Sequence, residues 1–98
     1  MNTLAELTAH YAKPLDPHGW RRITKEVCDR RKVAVRDVMG SMKFQELCDA
    51  RFEIWFRLRN EIKIVGKPVS YPMIGKWFGD RDHTTILHGV QRYRETMG

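Results

Sequence analysis

Two short apolar runs hinged on a single glycine constrain this chain more than any other feature. Ser70-Tyr-Pro-Met-Ile-Gly-Lys-Trp-Phe78 reads as a short helix that stops at Gly79, and Asp82-His-Thr-Thr-Ile-Leu-His88 opens another. Ile74, Trp77 and Phe78 are spaced to enter a core. Asp82 can cap the second helix by accepting a backbone N–H. Beyond it Ile86, Leu87, Val90 and Tyr93 face inwards, leaving Asp82, Thr84, Thr85, His88, Gln91 and Arg92 freer. Helix, glycine turn and polar-tipped helix are the parts of a helix-turn-helix. His83, Thr84 and Thr85 carry short donors and acceptors where a helix end can meet base edges.

The rest of the chain also reads as helix. Thr3-Leu-Ala-Glu6 matches a capping box, with Leu4, Leu7 and Tyr11 at helical spacing after it, and this helix ends before Pro14. Asp16-Pro17 restarts the pattern, with Asp16 as cap and Pro17 in the first turn. Trp20, Ile23 and Val27 then form an apolar stripe, while Arg21, Arg22, Lys25, Arg30 and Arg31 take the other faces, where they are expected to be solvated. Val35, Val38 and Met39 suit a small helix stopped at Gly40. The longest pattern is Phe44, Leu47, Cys48, Arg51, Trp55, Leu58 and Ile62, one face apolar apart from Arg51, with Phe52 and Phe56 adding an aromatic pair. Ile62-Lys-Ile-Val65 extends this helix or leaves it as a strand, and Gly66-Lys-Pro68 is a loop. The expected fold class is all-α: one helical domain over residues 16–98, preceded by an amphipathic helical segment over residues 1–15.

Composition narrows the function classes. Eighteen Lys and Arg against twelve Asp and Glu leave a formal charge of +6, which favours an anionic partner, nucleic acid first and acidic membrane second. No apolar run approaches the roughly 20 residues needed to span a bilayer. The opening Met-Asn-Thr-Leu-Ala-Glu lacks the regions of a secretory signal, so a cytoplasmic, nucleoid-associated setting is expected. Cys28 and Cys48, alone or with His83 and His88, fit no disulfide framework or zinc pattern. Paired carboxylates, a nucleophile elbow or a triad are not evident either. Catalysis, a metal, a cofactor and a small-molecule substrate are therefore not expected.

Ser70 to His88 closely resembles the signature of the C-terminal DNA-binding domain of the bacterial replication initiator DnaA. Gly79-Asp-Arg-Asp-His-Thr-Thr85 is its most specific part, and the resemblance reaches back over Val33-Ala-Val-Arg-Asp-Val38 and Ala50-Arg51. It implies an all-helical domain that binds the asymmetric, partly A·T-rich DnaA box, with the Asp-His-Thr helix in the major groove and a basic loop residue in the minor groove. By position, Asp82, His83, Thr84 and Thr85 resemble the base-reading group. Asp82 can accept from a cytosine amino group, and His83 and the threonine methyls suit thymine. Lys43 matches the minor-groove residue. Arg51 matches a phosphate-binding arginine, Arg59 a second basic position, and Tyr71, Pro72 and Lys76 would lie against the backbone. Arg81 either holds phosphate or pairs with an acid such as Asp80. Arg51 has the alternative of snorkelling from the core, and His88 that of a packed or solvated side chain.

The chain also departs from that pattern. Its loop reads Gly40-Ser-Met-Lys-Phe-Gln45, with Lys43 the sole cation where arginines are usual. Asp49 and Phe52 replace basic and polar residues, Arg57 falls where a core leucine is usual, and the Lys63-to-Val69 connection is longer than typical. Weaker minor-groove reading and an altered site preference are expected. No phosphate-cradling Gly-x-x-x-x-Gly-Lys-Ser/Thr run is present, so these residues carry no ATPase module and are not expected to initiate replication alone. The expected partner is double-stranded DNA, with the replication initiator or other replication proteins as further candidates. The competing expectation is an interaction module of replication or repair that binds a protein through Leu4, Leu7 and Tyr11. A non-specific nucleoid binder is a third.

Overall fold

The computed structural model describes residue 16 and residues 18–97, the side chain of Met97 excepted. The expected helix at residues 1–15 and the placement of Pro17 lie outside the described residues. Five helices and one small hairpin follow: α1 (Trp20–Arg31), α2 (Val35–Met39), α3 (Gln45–Glu61), β1 (Lys63–Ile64), β2 (Lys67–Pro68), α4 (Tyr71–Trp77) and α5 (His83–Met97). The fold is all-α apart from that hairpin, and no described helix is long and apolar enough to cross a membrane.

Helix α3 is the spine. It packs against α1 on one side, α5 on the other and α2 at its start. Leu47, Ala50, Ile54, Trp55 and Leu58 are buried along it, recurring every three or four residues as an inward stripe requires. Phe78 meets Trp55 edge-on at 6.1 Å and Trp20 at 5.6 Å, and Trp20 stacks on Trp77 at 5.4 Å. This aromatic cluster joins α1, α3 and the end of α4 and fixes where the helix-turn-helix sits on the spine. Asp16 supports the start of α1 from upstream, its carboxylate accepting from the amides of Arg21 and Arg22 at 3.1 Å each.

Three expectations are corrected. Phe44 falls in register with the apolar face of α3 but precedes the helix as its N-cap, with 64% of its surface exposed. The basic pairs of α1 are not simply solvated. Arg31 donates to Glu53 at 2.6 Å and Arg30 to the other oxygen of the same carboxylate, which is buried in α3. A buried carboxylate needs such cations, because desolvation otherwise opposes its charge. Arg57 makes a second tie, holding Glu61 at 2.6 Å and Glu26 of α1 at 3.1 Å.

The third correction concerns residues 63–68. Instead of a loop at Gly66-Lys-Pro68, the chain forms an antiparallel hairpin with Lys63 opposite Pro68 and Ile64 opposite Lys67. Val65 (φ 52°) and Gly66 (φ 77°) both take the left-handed backbone that a two-residue hairpin turn demands. For a β-branched valine that conformation is strained. The hairpin returns to the core at buried Val69, whose N–H donates to the Ile62 carbonyl at 3.0 Å.

Candidate functional site

Ser70 opens α4 by accepting the Met73 amide at 3.2 Å, with Pro72 in the first turn, where its missing N–H costs nothing. The helix ends after Trp77. Gly79 (φ 74°) and Asp80 (φ 58°) turn the chain, and the Arg81 N–H closes back on the Gly75 carbonyl at 2.9 Å. The turn lies directly on α4 because Gly75 has no side chain there: a Cβ would stand 2.1 Å from the Arg81 carbonyl oxygen.

Asp82 then starts α5 as expected. Its side chain accepts the Thr84 amide at 2.7 Å, and its carbonyl accepts from Thr85 and Ile86. The Thr84 N–H and hydroxyl hold the Asp82 carboxyl below its ordinary value of 3.8. Asp82, His83, Thr84 and Thr85 are all exposed, while Ile86, Gly89 and Val90 carry the helix into the core. Leu87 and Tyr93 are half-buried, Tyr93 against Phe56 at 4.9 Å. The polar fingertip thus projects outwards from a firmly packed helix. His88 and Arg92 are exposed further along and share a shallow recess with Thr85 and Phe52.

The structure brings Lys43 to this fingertip. Ser41, Lys43, Arg81 and Thr85 line one cleft of about 330 Å³ between the α2–α3 loop and α5. The loop is held there by the Gly40 carbonyl, which accepts from Arg51 at 3.0 Å and from Arg81 of the helix-turn-helix. Arg81 also donates to the Phe78 carbonyl at 2.8 Å. Burial, and next the charge of Arg51, draw the Arg81 guanidinium below its ordinary value. Arg81 is therefore a half-buried clasp between the loop and the turn, held by the Gly40 and Phe78 carbonyls and the Trp55 ring rather than by Asp80.

Arg51 has 4% of its surface exposed and donates to three backbone carbonyls: Val38 at 2.8 Å, Asp37 at 2.9 Å and Gly40 at 3.0 Å. Of its two expected roles, the geometry supports the core one, since a phosphate contact would require leaving three carbonyl acceptors, one buried and two part-buried. Arg59 is half-buried, donates to the Val69 carbonyl at 2.7 Å and lies over the Tyr71 ring at 4.3 Å. Tyr71 is half-buried beneath it, and Pro72 is exposed on the first turn of α4. Lys76 is exposed but turned elsewhere, lining a groove with Trp77, Trp20 and Val35. Among the described residues no group of three His, Cys, Asp or Glu side chains could hold a metal ion.

Sequence reasoning missed the Ser70 cap, the Gly40 carbonyl as an anchor and the demand for glycine at 75. Ser70 carried a signal, as a hydroxyl three residues ahead of Met73. The other two arise between elements distant in sequence and leave no local mark.

Comparison with known proteins agrees with this arrangement. A family model described as bacterial dnaA protein helix-turn-helix matches residues 20–92. The chain is similar to the chromosomal replication initiator protein DnaA of Cereibacter sphaeroides, with 32% identity over 76% of this chain and 15% of that protein. For the DnaA of Cutibacterium acnes the identity is 35% over 79% of this chain and 14% of the relative, and for that of Thermomicrobium roseum 32% over 72% and 14%. The chain thus spans about 15% of the length of these curated relatives. No solved structure matches it.

Proposed function

Since the chain belongs to the family of bacterial DnaA helix-turn-helix domains, we propose that it binds double-stranded DNA sequence-specifically at a DnaA-box-like site. Under this reading α5 enters the major groove with Asp82, His83, Thr84 and Thr85 at the base edges, and Lys43 reaches the adjacent minor groove. Asp82 has a double role, capping the helix with one oxygen and offering the other to a cytosine amino group. Arg59, Tyr71 and Pro72 flank the turn and act on phosphate, while Arg51 and Arg81 position the loop from behind. Lys76 lies at the margin of the interface.

One observation carries the proposal. Four polar residues in a row stand exposed at the start of a packed helix, and a cation-bearing loop is clasped beside them through Gly40. The charge of +6 suits the phosphate backbone, which supplies most of the affinity, while the fingertip supplies the choice of site. Occupation of such sites is the means of action in this reading: control of replication initiation or of transcription by presence on the DNA, in the cytoplasm.

The test is selection of bound duplexes from a random library. The proposal requires enrichment of one asymmetric site, related to a DnaA box. Recovery of unenriched sequence would mark a non-specific binder and overturn it.

A further inference from the structure

The loop that presents Lys43 is unusual in what surrounds the charge. Met42 and Phe44, on either side, are 45% and 64% exposed. The other three phenylalanines are packed: Phe52 against Trp55 at 6.0 Å, Phe56 against Tyr93 at 4.9 Å, and Phe78 against Trp20 and Trp55. Leaving a phenyl ring in water forgoes the stabilisation that burial would bring.

Nor does the exposure come from a slack segment. Before the pair, Gly40 is gripped by Arg51 and Arg81. After it, the Phe44 carbonyl accepts from the Leu47 and Cys48 amides at 3.0 Å each, fixing the backbone at the head of α3. Both ends are held and the apolar side chains are displayed between them. Lys43 shares a cleft with Thr85, so the display stands beside the fingertip. Residues 40–45 contain no acid, and their one charge is that lysine. A cation flanked by exposed Met and Phe suits a partner with an anionic rim and an apolar interior. Stacked base pairs between two phosphate ridges have that chemistry.

We propose that Met42 and Phe44 form an apolar wedge that enters the minor groove with Lys43, the Phe44 ring unstacking one base step and bending the duplex. The inference rests on the DNA-binding reading above and goes beyond it, because it makes deformation of the DNA part of recognition. Wedging side chains of this kind open a step and kink the duplex towards the major groove. Pyrimidine–purine steps open most easily, so the wedge selects for such a step at the loop-proximal edge of the site without hydrogen-bonding to it.

The experiment uses the full chain and a duplex recovered by the library selection, end-labelled for energy transfer and carrying 2-aminopurine at successive positions along the loop-proximal edge. Wild-type protein should raise 2-aminopurine fluorescence at one step and shorten the end-to-end distance. Phe44→Ala, a change at an exposed position, should abolish both signals and weaken binding by roughly 5- to 150-fold, the range for truncating a base-stacking ring. Phe44→Leu should retain most of both. Lys43→Ala should weaken binding and lower its salt dependence while keeping the 2-aminopurine signal. Tight binding with a straight duplex and no fluorescence change, the same in wild type and Phe44→Ala, overturns the wedge and leaves the DNA-binding reading standing. Absence of binding to every duplex overturns both.

Discussion

The carbonyl oxygen of Arg81 lies 2.1 Å from the point where a Cβ on Gly75 would stand. That approach, together with the 2.9 Å hydrogen bond from the Arg81 N–H to the Gly75 carbonyl, sets the angle at which α5 leaves α4. The orientation of the fingertip is thus decided by a missing methyl group.

Gly75→Ala should therefore destabilise the domain, against the usual trend. In an unobstructed helix the substitution gains up to about 1 kcal/mol from propensity. Here the added atom meets backbone, which cannot rotate away, and such overpacking costs about 1–3 kcal/mol. The clash wins. Thermal unfolding should show a fall in Tm of several degrees, at about 4–8 °C per kcal/mol for a domain of this size. An unchanged or raised Tm would mean that the turn does not rest on Gly75.

Arg51 offers a separation of structural from phosphate roles. Arg51→Met strips partners from the Val38, Asp37 and Gly40 carbonyls and should cost about 1–3 kcal/mol for each acceptor left buried without a replacement. Arg51→Lys should fare little better, because one ammonium cannot reproduce a planar fork across three acceptors. Under conditions where both variants remain folded, the slope of log affinity against log salt should match wild type. A slope shallower by about 0.9 for Arg51→Met, restored in Arg51→Lys, would return Arg51 to phosphate.

The Asp82 cap should show in the pH dependence of stability. Its folded pKa is depressed by the Thr84 amide and hydroxyl. The contribution is thus complete above the ordinary carboxylate range and lost as pH falls through the folded value. Asp82→Asn keeps an acceptor but does not titrate. The urea midpoint of wild type should exceed that of Asp82→Asn near neutrality, and the gap should close as the pH falls below the ordinary carboxylate range and through the depressed folded value. A gap that is constant from neutral to strongly acidic pH would show that the charge on Asp82 does not support the helix.

Much of this arrangement was legible in the residues, for definite reasons. Ile74, Phe78, Ile86 and Val90 are apolar at helical spacing around a glycine, and all are buried. Asp82 before a helical run reads as a cap and is one. Spacing failed where residue type and environment part company. Phe44 continues the α3 stripe in register, yet helix α3 begins one residue later and the ring remains in solvent. A glycine inside a helix shows only a propensity cost in the sequence, but a Cβ at Gly89 would stand 2.6 Å from the Trp55 ring, so its absence lets α5 close on α3. Glu53 looks like any surface acid until Arg30 and Arg31, more than twenty residues upstream, are seen to enclose it. The Val65-Gly66 turn was hidden because valine is a poor candidate for a left-handed position.

The central claim is that His83 and Thr84 choose the DNA site. It is tested most directly by measuring affinity for the selected duplex and for a scrambled duplex of the same composition, in wild type, His83→Ala and Thr84→Ala at one salt concentration. The account predicts that each substitution removes roughly 1–3 kcal/mol of discrimination, confined to one or two base pairs, while affinity for the scrambled duplex changes little. Variants that preserve the wild-type ratio of the two affinities would contradict it.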